Sequence, residues 1–419
     1  MRLKGNCIIG QSGGPTAVIN ASLYGIINEA TKNSNIHKIY GARNGILGVL
    51  KEDFIDMTQI GSHIIEKMRL TPASALGTCR FKLKDERDNK QQYERIFEVF
   101  SANNVRYFFY IGGNDSMDTV NKIDRYAKKI GYPLSIIGVP KTIDNDLAGT
   151  DHCPGFGSAA KYIITSIIEA MYDCKSYAED TILIVEVMGR DAGWLAAASG
   201  LIKDYEDFGP DLIYLPEAAF SYEKFINDVK DLCSKKKDIL IVVAEGIKDS
   251  TGKYIASEDT SDFDGFKHKA LGGAGQVLKS VLENEVTKRI KVINLGLLQR
   301  CSMHMASLVD FNEAQLVGEA AVKYAVKGES GKMVGIKRLS NSPYSVEPCI
   351  TPVDKVANHI KRLPTQWINE SKNNIKDDCL KYFRPLVQGY VPYPNVYGIP
   401  QYTDITNESQ NYNKKKEVI

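Results

Sequence analysis

Several things this sequence does not contain narrow the field. None of its 8 cysteines forms a Cys-x-x-Cys pair, and its 6 histidines are scattered, with no second histidine four residues from His304. A structural zinc site is therefore not expected. Charge of one sign is not in excess: the formal net charge is only +2 over 419 residues, which gives no electrostatic case for nucleic acid or an anionic membrane surface. No apolar run approaches membrane-spanning length. The first one, after Met1-Arg2-Leu3-Lys4, is broken by Gly10, Gly13 and Gly14 and is too short for a secretory core. The cytoplasm is the expected location, with reduced and mostly buried thiols. What remains is an ordinary globular composition, 43% hydrophobic and 25% charged, in a chain long enough for two or three domains.

Strands and helices alternate along the chain, which predicts parallel, doubly wound α/β sheets. Asn6 to Ile9 reads as a strand, and Gly10-Gln11-Ser12-Gly13-Gly14-Pro15-Thr16 as a glycine-rich loop. The helical spacing of Val18, Ile19, Leu23, Ile26, Ile27 and Ala30 follows. This order can hold phosphate through backbone N–H groups and a helix N-terminus, or it can simply be a tight turn. It is neither a Walker A nor a dinucleotide fingerprint. Val105 to Ile111, then Gly112-Gly113-Asn114-Asp115-Ser116, then a helix through Met117, Val120 and Ile123, repeats the plan. Arg80, in Leu76-Gly77-Thr78-Cys79-Arg80, can clamp a phosphate bidentately or lie on the surface. Later strands are expected at 181–187, 211–215, 238–244 and 290–294, and helices at 159–174, 222–235 and 314–326. An exposed acidic segment is expected at 253–269. Beyond Lys337 the prolines crowd together; helices are expected there only near 353–360 and 365–371, with a frayed tail at Lys414-Lys415-Lys416.

The densest chemistry lies in Pro140-Lys141-Thr142-Ile143-Asp144-Asn145-Asp146, directly after the apolar strand at 134–139. Pro140 cannot donate to a sheet ladder and should end that strand. A cation, a hydroxyl, two carboxylates and an amide then fall where open α/β sheets bind ligands. Phosphoryl transfer to an alcohol needs such parts: a carboxylate for the hydroxyl proton, a cation for the donor phosphates, further carboxylates for a metal. A polar loop capping a strand is the plainer alternative.

Taken in order, these motifs, with Asn20, Met188-Gly189-Arg190 and Gln299-Arg300, resemble those of the 6-phosphofructokinases over residues 3 to about 330. The runs Thr150-Asp151-His152, Phe156 to Ala160 and Arg190 to Trp194 are similar to the diphosphate-dependent group. The resemblance implies two Rossmann-like doubly wound sheets of the phosphofructokinase type with a C-terminal extension. It implies a donor-side domain of residues 1–155 plus about 301–350, a sugar-side domain of 156–300, and an extension from 351 to 419. The implied reaction is reversible transfer from diphosphate to the 1-hydroxyl of fructose 6-phosphate. Asp144 would be the general base, joined by Lys141, Asp115 and Arg190 as catalytic residues. Thr142, Ile143, Asp146, Met188, Gly189, Arg190, Glu245 and Arg300 would hold the sugar phosphate; Gly14, Arg80 and Lys141 would hold diphosphate. Mg2+ is the implied cofactor, on Asp115 and Asn114. A homodimer or larger homo-oligomer is implied, with no nucleic acid or membrane partner.

Two departures bear on the donor. ATP-using relatives carry a small residue at the place of Asp115 and glycine at that of Lys141. A carboxylate about 4 Å from a nucleotide's α-phosphate costs ~4 kcal/mol before screening, while Lys141 favours a short, highly charged donor. Many relatives have aspartate where Asn114 stands; the Asn114 amide can offer magnesium only a neutral oxygen. Many also have histidine or tyrosine where Leu297 stands, so that sugar-phosphate contact must come from elsewhere or be absent. An ATP-dependent kinase, an idle sugar-phosphate-binding regulator, and more distantly an NAD or lipid kinase, stay as alternatives.

Overall fold

The computed structural model describes residues 3–256 and 272–407. Residues 257–269 of the expected acidic segment and the Lys414–Lys416 run lie outside the described residues. Within the described residues the chain builds two main sheets. Five strands open the first: β1 (Gly5–Gln11), β2 (Ile36–Ala42), β3 (Phe54–Asp56), β4 (Val105–Gly112) and β5 (Ser135–Pro140). The chain then forms the second sheet from β6 (Thr181–Val187), β7 (Leu212–Tyr214), β8 (Ile239–Ala244) and β9 (Arg289–Asn294), and returns to the first with β10 (Lys332–Asn341) and β11 (Tyr344–Pro352).

The first sheet runs β11-β10-β5-β4-β1-β2-β3 and the second β7-β8-β6-β9. All neighbours are parallel except β2–β3 and β10–β11. Both sheets are doubly wound, and the alternation of side chains shows why. Cys7, Ile9, Tyr107 and Phe109 pack on the helices Ile19–Thr31 and Leu308–Val326. Their chain neighbours Ile8, Phe108 and Tyr110 pack on Lys90–Ala102 and Asn114–Ile130. In the second sheet Leu183, Val185, Leu240 and Val242 face the helix Phe156–Lys175, while Ile182, Ile184, Ile239 and Ile241 face Tyr222–Cys233 and Ala274–Leu282. Strands buried on both faces must be nearly continuous apolar runs, as these are.

Strand order reverses between β1 and β4, so their helices lie on opposite faces and a crevice opens at the strands' carboxyl ends. The helices Ile19–Thr31 and Leu308–Val326 meet at Gly25 and Gly318. A Cβ on either would lie 2.2 Å from a carbonyl of the other helix, Gln315 O or Ser22 O. This close approach ties the returning chain to the first helix.

The last third departs from expectation. β10 and β11 form a long antiparallel hairpin at 332–352, where none was expected, because Pro343, Pro348 and Pro352 argue against strands. They are tolerated because β11 is an edge strand with one free side. The helices expected near 353–360 and 365–371 reduce to single 3-10 turns, Val353–Lys355 and Thr365–Trp367. An unexpected helix, Asp377–Phe383, packs Phe383 into the core of the second sheet. The expected helix at 314–326 begins earlier, at Leu308, where the Ser307 side chain accepts from Asp310 N–H. All 8 cysteines are free thiols, five of them buried. Among the described residues no helix is long and apolar enough to cross a membrane.

Candidate active site

The carboxyl ends of β1, β4 and β5 face those of β6 and β8 across one cleft of about 580 Å3. Each strand delivers its polar residues because its apolar run stops there. The cleft is lined by Gly14, Arg80, Asn114, Asp115, Lys141, Thr142, Ile143, Asp144, Asp146, Met188, Arg190, Glu245 and Arg300. Every residue singled out for the site in the sequence is thus brought there except Gly189. That glycine, with φ 140°, turns the chain after β6, and its carbonyl accepts from Gly246 N–H at 3.2 Å.

The glycine loop after β1 is clamped by the segment that carries Arg80. Gly13 N–H donates to Cys79 O at 3.2 Å, and Thr78 Oγ1 donates to Gly13 O at 2.6 Å. Asn20 does not line the cleft. It is fully buried, donates to Thr71 O and accepts from Ala75 N–H, so it shapes the loop that delivers Arg80. A Cβ built on Gly13 would lie 3.1 Å from Lys141 Nζ, and one on Gly14 would lie 3.1 Å from Arg300 Nη1. Both cations therefore reach the glycine loop after β1, including Arg300, which comes from the far side of the cleft. Gln299 is buried beside it and accepts from Met188 N–H at 3.0 Å, which fixes the turn after β6.

Asp144 is half-buried, and its N–H donates to Thr142 Oγ1 at 3.1 Å. Burial raises its carboxyl above the ordinary range, with Lys141 and Arg190 opposing the shift. Burial and the Asp144 charge push Asp146 up to about 7. The same two causes push Glu245 up to about 7. Burial brings Lys141 down to about 8; Asp144 and Asp146 oppose this, and Arg300 and Arg80 add to it. The cleft thus pairs a cluster of acids near neutrality with a cation that can be lost above it.

Asp115 lies in the first turn of the helix Asn114–Ile130 and forms an ion pair with Lys82 at 3.3 Å. Lys82 also lines the cleft and had no local signal in the sequence. The Asn114 amide is already engaged: its oxygen accepts from Asn358 N–H at 2.5 Å and its nitrogen donates to His359 O at 2.8 Å. Asn358, Ile360 and Asp191 complete the wall and were likewise missed. The first two come from a distant segment; Asp191 follows Arg190 directly and could have been found there.

Among the described residues no group of three His, Cys, Asp or Glu side chains converges as a metal site. A single carboxylate, Asp115, lining an open cleft fits Mg2+, which takes one or two carboxylates plus phosphate oxygens and waters. It does not fit a metal caged by protein alone.

The phosphofructokinase family pattern matches residues 6–325. The chain is 43% identical over 407 residues to the pyrophosphate–fructose 6-phosphate 1-phosphotransferase of Xanthomonas campestris, covering 96% of this chain and 97% of that one. It is 42% identical over 401 residues to the enzyme of the same name from Halomonas elongata, covering 94% and 95%. The crystal structure of the pyrophosphate-dependent phosphofructokinase of Nitrosospira multiformis superposes with a TM-score of 0.87 at 39% identity, covering 96% of each chain.

Proposed function

The chain belongs to the phosphofructokinase family, and from that premise we propose that it transfers a phosphoryl group reversibly from diphosphate to the 1-hydroxyl of fructose 6-phosphate. The observation that carries this reading is the convergence in one cleft of Asp144 with Lys141, Arg80, Arg190 and Arg300. In the forward direction a bond forms between O1 of the sugar and the transferred phosphorus, and the bridging P–O bond breaks to release phosphate. The O1 proton passes to the Asp144 carboxylate. Gly14, Arg80 and Lys141 hold the diphosphate, and Arg190 holds the group in transit. Thr142, Ile143, Asp146, Met188, Gly189, Glu245 and Arg300 hold the sugar phosphate. Mg2+, on Asp115, would offset charge on the donor oxygens; Asn114, with its oxygen engaged by Asn358, is the weaker of the two ligands expected. We further propose that residues 1–155 and about 301–350 form the donor side, 156–300 the sugar side, and 351–419 an extension. The test is formation of fructose 1,6-bisphosphate from fructose 6-phosphate and Mg2+ with diphosphate and ATP side by side. Turnover with ATP alone would replace the reading by its runner-up.

The raised acids and the lowered lysine set a pH window. The base must be ionised, and burial raises the Asp144 carboxyl, so kcat/KM falls on the acid side, where Asp146 and Glu245, pushed up to about 7, also take up protons. Lys141 must be protonated, so the rate falls again above about pH 8. The limbs belong to the cluster as a whole rather than to single residues. A profile of kcat/KM at constant ionic strength should be a narrow bell; a plateau extending to pH 5 would remove the raised acids from the mechanism.

We also propose assembly as a homodimer or larger symmetric oligomer. Leu297 and Leu298, 61% and 58% exposed, stand beside β9, the edge of the second sheet, and offer apolar surface to a second copy. Sedimentation showing only monomer at assay concentration would exclude it.

A further inference from the structure

The segment Asn358–Leu363 lines the cleft with Asn358 and Ile360 and then stitches its two sides together. Lys361 is its centre. On the donor side, Lys361 N–H donates to Asp146 O at 2.7 Å. The ammonium of Lys361 donates to Asp151 O at 2.7 Å, Thr150 O at 3.3 Å and Asn145 Oδ1 at 3.4 Å. On the sugar side, Lys361 O accepts from Trp194 Nε1 at 2.9 Å, and its ammonium lies 5.1 Å from a Trp194 ring centroid. Two residues on, Leu363 N–H donates to the Glu217 carboxylate, which also accepts from Gly193 N–H at 3.0 Å. Gly193 and Trp194 directly follow the Arg190–Asp191 turn of the cleft. Tyr382 secures the Asp144–Asp151 loop on the opposite wall, accepting from Asn145 Nδ2 at 3.0 Å and donating to Asp151 O at 2.7 Å.

We propose that Lys361 is a positioning residue that holds the Asp144–Asp151 loop and the Arg190–Trp194 turn at a fixed separation, so that one bound substrate meets both the base and the guanidinium. This rests on the functional reading above. Its physical basis is that one side chain and its own peptide groups bond to both walls, while the residue itself does not line the cleft. A loop released on one side loses the alignment that a bimolecular transfer requires, and small misplacements cost rate steeply. The charge has a second effect. Asp146 is faced by Asp144, Lys141 and Lys361, and of these Lys361 and Lys141 favour its ionised form. Lys361 is in turn faced by Cys153, Asp151, Asp146 and Arg338.

Lys361→Met keeps the chain length and removes the ammonium that donates to Asp151 O, Thr150 O and Asn145 Oδ1, leaving the backbone bonds to Asp146 and Trp194 in place. Its kcat with diphosphate should fall ~10–10²-fold, while KM for both substrates changes by less than about threefold. The acid limb of kcat/KM should move to higher pH, because Asp146 loses a cation. Hydrogen exchange in peptides spanning 144–153 should quicken, since Asn145 Oδ1 also accepts from Cys153 N–H. Unchanged kcat and exchange would overturn the proposal. So would a fall in kcat with an unmoved acid limb, which would make Lys361 a structural clasp only. If the wild type itself gives no product with diphosphate, the functional reading fails, and the exchange measurement still decides whether Lys361 holds the loop. Should Lys361→Met not fold, Trp194→Phe removes the indole donor while keeping an aromatic ring against Trp367, Tyr382 and Phe383; exchange near 361–363 should then quicken, and no change would count against the proposal.

Discussion

Asp144→Asn should lower kcat for transfer from diphosphate by ~10²–10⁴-fold, the usual cost of removing a general base. Binding of fructose 6-phosphate, read by calorimetry, should survive. The substitution keeps the volume of the side chain and the backbone N–H that donates to Thr142 Oγ1, so the loop keeps its turn. Only the acceptor for the O1 proton is lost. A second reading separates this from general damage. The Asp144 charge is one cause of the raised pKa of both Asp146 and Glu245. Without it both become stronger acids, and the acid limb of the residual activity should move to lower pH. Near-normal turnover would remove Asp144 from its role. A lost rate with an unmoved acid limb would mean that the three carboxyls do not sense one another.

Most of the cleft was legible in the sequence because its parts are local. An apolar strand followed at once by a polar, glycine-bearing loop fixes both the element and the direction its residues face. That logic places Gly14, Asp115, Asp144, Met188 and Glu245 at strand ends. What local patterns cannot carry is which distant segment closes the remaining wall. Lys82 sits in a stretch with no periodicity, Asn358 and Ile360 sit where a helix was expected and a single 3-10 turn precedes them, and only the return of the chain through β10 and β11 brings Asn358 to Asn114. The hairpin itself was hidden by prolines that an edge strand accommodates. Asn20 illustrates a different limit: it was grouped with the phosphate loop, yet the buried amide does not line the cleft and instead ties that loop, through Gln11 Nε2, to the neighbouring 71–75 segment. A motif residue can act through the shape of a neighbour rather than on the ligand.

The wild type should use diphosphate and use ATP poorly, and Asp115→Gly should raise the ratio of ATP to diphosphate kcat/KM by ~10–10²-fold. The unscreened repulsion between a carboxylate and an α-phosphate, ~4 kcal/mol at 4 Å, is an upper bound. The Lys82 ammonium, 3.3 Å from Asp115, offsets part of it, and each 1.4 kcal/mol is about tenfold. Removing the carboxylate also frees Lys82 to meet a phosphate, which favours the longer donor further. Lys141→Met should instead weaken diphosphate turnover, since a charge-assisted contact to phosphate contributes ~1.5–3 kcal/mol. Methionine is the better probe than glycine because Lys141 is only 3% exposed, and a void there would confound the result. The same variant should abolish the alkaline limb near pH 8, because the group brought down to about 8 is gone. The two positions line one cleft and are proposed to meet the same donor phosphates, so their effects should not add. A steady-state matrix of wild type, both single variants and the double variant against both donors decides among the outcomes. Wild-type preference for ATP would reverse the roles given to Asp115 and Lys141. An unchanged ratio in Asp115→Gly would leave Asp115 as a favourable helix N-terminal residue and shift donor discrimination to the Asn358–Ile360 wall, which closes the cleft beside Asn114.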